Sequence, residues 1–102
     1  MNPFLNCIIV NPNENIATAM DLYCQYTGFL RPVKFTGEGA YSESLSYMKD
    51  TPVLEPDIMV VDLANLKEGL ELFKYTEESF KNVLIVLLAE QNQLKSLPER
   101  IE

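Results

Sequence analysis

Three short stretches of this chain, Leu5–Val10 (broken by Asn6), Ile58–Val61 and Val83–Ala89, are runs of Ile, Val and Leu with no polar residue at every second place. A strand with one wet face alternates apolar and polar residues. A strand covered on both faces, as in a parallel sheet flanked by helices, does not. These runs therefore have the look of strands buried on both faces of a parallel sheet. A fourth stretch, Leu30–Phe35, is more polar, and its Pro32, Arg31 and Lys34 fit an edge strand.

Helical spacing fills the gaps between the runs. After Asn11-Pro12-Asn13, the residues Ile16, Met20, Tyr23 and Thr27 recur as one stripe, and Gly28 stands where a helix C-cap is expected. Tyr41, Leu45 and Met48 repeat the spacing ahead of a proline-bounded loop, Asp50–Pro56. Leu66, Leu70 and Phe73 repeat it again, with Asn65 as N-cap and Glu68 placed as in a capping box. Gln91–Leu97 makes a last short helix before Pro98. Strict alternation of strand and helix predicts a three-layer α/β/α open parallel sheet with right-handed crossovers. Because the second strand is the most polar, the predicted order is 2-1-3-4. In such a sheet the chain reverses direction between strands one and three, and ligand chemistry gathers at the carboxyl ends there. Asn11, Pro12 and Asn13 follow strand one, and Asp62 ends strand three.

At 102 residues the chain has the size of a single domain, 1–102. Eight Lys and Arg against fifteen Asp and Glu leave a net charge of −7, which repels nucleic-acid phosphates and anionic lipid. There is no His, so imidazole bases, Ser–His or Cys–His nucleophiles and His metal ligands are all excluded. Cys7 and Cys24 match no metal or redox spacing and are expected as buried reduced thiols, consistent with a reducing cytoplasm. No apolar run is long enough to span a bilayer. Gly37 and Gly39 after the second strand match no nucleotide-binding fingerprint.

The segment Pro56-Asp57-Ile58-Met59-Val60-Val61-Asp62 resembles the "Pro-Asp, apolar run, Asp" signature of the receiver domain of bacterial two-component response regulators, the CheY-like fold. Leu5-Asn6-Cys7-Ile8-Ile9-Val10, Asp21-Leu22-Tyr23-Cys24, Gly28-Phe29-Leu30 and Lys34-Phe35-Thr36 are similar to receivers that precede LytTR DNA-binding domains. The resemblance covers nearly the whole chain and implies Asp62 as the phosphoacceptor. It also implies two acidic residues after strand one, which with that Asp hold Mg²⁺, and a Ser or Thr at the end of strand four. The matching positions here are Asn11 and Pro12, followed by Asn13, and Leu88. The sequence ends at Glu102, ahead of any fifth strand with the family's Lys.

The resemblance taken with these departures implies an atypical, non-enzymatic receiver-like domain in the phosphorelay class of signalling proteins. It would act through protein contact, independently of phosphorylation and without a cofactor, Mg²⁺ entering only if the pocket functions. Expected partners are a histidine kinase or an output domain, or a second copy of the chain, forming a homodimer through the exposed fourth strand. The chain would be either such a module in itself or the N-terminal part of a longer regulator. Two rivals stay open: a phosphorylatable receiver using Asp62, and a small flavodoxin-like ligand-binding domain or enzyme. Asp62 also has a plain structural role available to it, as a strand-end residue that caps helix three or binds loop amides.

Overall fold

A computed structural model describes residues 4–50 and 55–96, without the side chains of 94–96. The apolar runs become strands β1 (Leu5–Val10), β3 (Ile58–Asp62) and β4 (Leu84–Leu88), and the polar stretch becomes β2 (Leu30–Phe35). All pairings are parallel, in the order β2-β1-β3-β4. This is the three-layer open sheet and the strand order that the alternation predicts. Helices α1 (Glu14–Thr27), α2 (Ala40–Asp50) and α3 (Leu66–Ser79) make the crossovers. Gln91–Ser96 is a 3-10 helix where a short α-helix is expected, since six residues hold too few i→i+4 bonds to offset nucleation. The end of that expected helix at Leu97, and part of the Asp50–Pro56 loop, lie outside the described residues.

The sheet's two faces are filled unequally. On one, Ile8, Val10, Met59 and Val61 meet Ala40, Tyr41 and Met48 of α2 and Leu72 of α3, closed above by Leu63. Each of the larger aliphatic side chains there contributes about 1.5–3 kcal/mol through burial. On the other face, Cys7 and Ile9 pack under Ala17 and Cys24 of α1 alone.

The stripe read for α2 holds, with Tyr41 and Met48 buried and Leu45 half-buried, whereas those read for α1 and α3 are rotated in the structure. In α1 the buried residues are Ala17 and Cys24, while Ile16 and Tyr23 stay exposed. In α3 they are Gly69, Leu72 and Thr76, flanked by half-buried Leu66, Leu70 and Phe73. In α1 the small residues occupy the closest approach to the sheet and the bulky ones sit beside it, and in α3 Gly69 and Thr76 share the buried seam with Leu72, a choice that a hydrophobicity pattern does not register. Gly69 shows the constraint: a Cβ there would lie 2.6 Å from Leu63 Cδ2, and Leu63 is fully buried.

Both thiols are free and buried, as expected. Burial, and next the neighbouring Cys24, push the Cys7 thiol from 9.0 up to about 12. The unfolded chain thus releases this proton near pH 9 while the folded chain holds it. The associated stability is complete below pH 9 and is lost as pH rises towards 12. Urea unfolding midpoints should fall across that interval, and the fall should be shallower in Cys7→Ala.

Candidate functional site

The register of the central ladder sets Val10 against Val61. One residue further along each strand, Asn11 and Asp62 emerge together at the carboxyl ends, where β2 and β3 diverge to either side of β1. Asp62 is half-buried and Asn11 is buried. One Asp62 oxygen accepts from the Ala64 backbone N–H at 2.7 Å, the loop-amide role open to a strand-end Asp. Its other oxygen faces the Asn11 side-chain amide, with Nδ2 at 3.5 Å.

The orientation of that amide is forced. Asn11 Oδ1 accepts from the Asn13 backbone N–H at 2.9 Å, a group that can only donate. Asp62, as a carboxylate, can only accept. The Asn11 oxygen is therefore engaged in its own turn, and the NH₂ end is presented to Asp62. Asn13 in turn caps α1, its Oδ1 accepting from Asn15 and Ile16 N–H at 3.0 and 3.2 Å. Pro12 offers only its carbonyl, which accepts from Gly37 N–H at 3.2 Å. Leu88 lies opposite Asp62 in the β3–β4 register and lines the pocket above it. That pocket, of about 360 Å³, is bounded by Asp62, Ala64, Leu88, Ala89, Glu90 and Gln93. Gln93 ties its rim to the sheet by donating from Nε2 to the Leu63 carbonyl at 2.6 Å.

These residues do not fit Mg²⁺. A hard divalent ion needs several oxygens in octahedral array. Asp62 supplies the carboxylate, but Asn11 directs N–H hydrogens towards it, Pro12 has no side-chain donor and Leu88 is a hydrocarbon. Among the described residues no group of three or more His, Cys, Asp or Glu side chains is placed to hold a metal.

Tyr41, which helical spacing places in the α2 stripe with Leu45 and Met48, also belongs to the site. It is buried on α2, and its hydroxyl donates to the Asp62 carbonyl at 2.5 Å while accepting from Asn65 N–H at 3.3 Å. Burial pushes the phenol above its ordinary 10.0; the Asp62 and Glu68 carboxylates add to this, and the Asn65 N–H opposes it. The same hydroxyl modifies the expected capping box. Asn65 Oδ1 accepts from Glu68 N–H at 3.1 Å, as an N-cap should, but its own backbone N–H goes to Tyr41 rather than to Glu68. The Glu68 carboxylate instead accepts from Asn65 Nδ2 at 3.1 Å. No local sequence signal marks this contact, because Tyr41 and Asn65 are 24 residues apart.

No described family, no curated protein and no solved structure matches this chain.

Tyr41→Phe leaves the packing intact but strands a buried carbonyl and an N–H. It should destabilise the fold by about 1–3 kcal/mol in urea titration and speed hydrogen exchange at Asn65.

Proposed function

We propose that the chain is an atypical receiver-like module of bacterial two-component signalling that works by protein contact and does not depend on phosphorylation. Its expected partners are a histidine kinase or an output domain, met in the cytoplasm. The observation that carries this reading is the orientation of Asn11. A working phosphoacceptor site gathers anionic oxygens around a metal that neutralises charge building on the transferred phosphoryl group. Here the residue beside Asp62 directs N–H hydrogens inward, and the residue facing it across the ladder is Leu88. Each missing electrophilic donor removes on the order of 3 kcal/mol of transition-state stabilisation. Together these losses slow phosphoryl transfer to Asp62 beyond use in signalling.

One observation favours the rival phosphoswitch. The Asp62 carboxylate borders an open pocket, and its second oxygen has only the long 3.5 Å contact to Asn11. Intact-mass analysis after incubation with a small phosphodonor and Mg²⁺ separates the two readings. We expect no mass gain in wild type. Gain of one phosphate in wild type that is lost in Asp62→Asn would establish the phosphoswitch.

A companion titration follows the amide resonances of Asn11, Asn13 and Asp62. Millimolar Mg²⁺ should leave them without a saturable shift in wild type. In Asn11→Asp, which converts the inward N–H donor into a second carboxylate, a saturable shift should appear.

A further inference from the structure

We infer that α1 and the sheet face beside it form a self-complementary surface on which a second copy of this chain docks, the two α1 helices lying side by side between the two sheets. Ile16, Leu22, Tyr23 and Tyr26 on α1 and Leu84 and Val86 on β4 are all exposed large hydrophobic side chains. The α2–α3 face contributes none to that set among the described residues. Leu84 and Val86 lie beside Ile58 and Val60 in the β3–β4 register, on the α1 side of the sheet. Since α1 packs over β1 and β2, the β3 end of that face borders an apolar groove of about 520 Å³.

The helix has the complementary shape. Glu14, Thr18, Asp21 and Gln25 recur at intervals of four, three and four, so they form one polar stripe. That stripe is satisfied locally: Lys34 of β2 donates to Thr18 at 3.0 Å and lies 3.9 Å from Asp21, which also accepts from Gln25 at 2.7 Å. Between Ile16 and Tyr26 every residue off the stripe is apolar or aromatic. At ~100° per residue the apolar arc spans about 200°, roughly twice what a helix covered on one side requires. Half of that arc meets the helix's own sheet and groove. The other half, carried by Leu22 and Tyr26, faces outward.

Among the described residues, a single chain therefore presents both an uncovered groove and a helix whose outer side is apolar. A two-fold axis beside α1 satisfies both at once, each α1 covering the other copy's β3 and β4. The area is sufficient. At ~150–250 Å² per aromatic side chain, Tyr26 and Tyr23, with 88% and 67% of their surface exposed, alone offer on the order of 300 Å². The aliphatic neighbours bring the surface towards the ~800 Å² that each partner contributes to a standard interface. Neither the groove lining nor the outward half of α1 carries a charge, so two chains of net charge −7 can meet there with their carboxylates at the rim. The edge strands differ in the same sense. β2 carries Arg31, Pro32 and Lys34, whereas β4 is Leu-Ile-Val-Leu-Leu, with none of the residues that usually guard an edge.

This inference is independent of the Asp62 reading and is tested by the oligomeric state of the whole chain. Sedimentation velocity from low to high micromolar concentration should show a reversible dimer that tightens with added salt as the like charges are screened. Tyr26→Lys and Val86→Lys should each weaken it at least about tenfold, a change expected for a central interface position. Lys74→Glu, on the far helix layer, should not. Tyr26 is so exposed that its replacement leaves the fold intact, which circular dichroism and thermal melting verify. A chain that stays monomeric throughout would overturn the inference. So would a dimer indifferent to Tyr26→Lys, since that result would place the contact at the β4 edge instead.

Discussion

The parallel ladder between β1 and β3 is the constraint on which the rest of the molecule depends. Its strands lie at the centre of the sheet, and its register, Val10 against Val61, sets both the core and the site. Inward-facing residues of this pair supply the aliphatic floor on which α2 and α3 pack. The next residue on each strand delivers Asn11 and Asp62 to the same point. A slip of one residue would exchange the two faces of the sheet, placing Cys7 and Ile9 where Ile8 and Val10 belong, and would separate the two polar side chains. The position of the site is therefore a consequence of how the core is packed.

Around that ladder the polar groups are accounted for locally. Asn11 closes a turn, Asn13 caps α1, Asp62 holds the Ala64 amide and Tyr41 bridges the end of β3 to the start of α3. Among the described residues no buried side-chain nitrogen or oxygen lacks a partner. A site organised to receive a cation or a phosphoryl group holds unspent donors or acceptors aimed at the space the ligand will fill. In this chain the amide nearest the carboxylate is already bonded at its oxygen, and the strand position opposite is aliphatic. Among the described residues, the exposed large apolar side chains gather instead on α1, its flanks and β4.

Much of the architecture was legible in residue order. Unalternated runs marked the strands, Pro32 with Arg31 and Lys34 marked the edge, and Asn13, Gly28 and Asn65 marked helix ends that the structure reproduces. The faces that α1 and α3 bury were less legible than that of α2, where the stripe of Tyr41, Leu45 and Met48 holds. Periodicity counts bulky apolar residues, whereas close approach to a sheet selects small ones such as Ala17 and Gly69. The stripe Ile16, Met20, Tyr23 read from α1 is real, but Ile16, Met20 and Tyr23 border the groove and do not form the buried seam. The role of the Tyr41 hydroxyl was not legible for a different reason: it bridges partners that only the crossover from α2 through β3 brings together.

The order of amino acids by itself determined the strand-helix alternation, the sheet it builds, the net charge of −7 and the placing of Asp62 at a strand end beside a chain reversal. Those are properties of local pattern and elementary topology. Only the tertiary structure decided which way the Asn11 amide turns and which apolar side chains remain in water. The first depends on a backbone N–H that reaches Asn11 only once the turn into α1 has formed. The second depends on how near each helix lies to the sheet, which is set by the smallest residues at the contact and cannot be read from the largest.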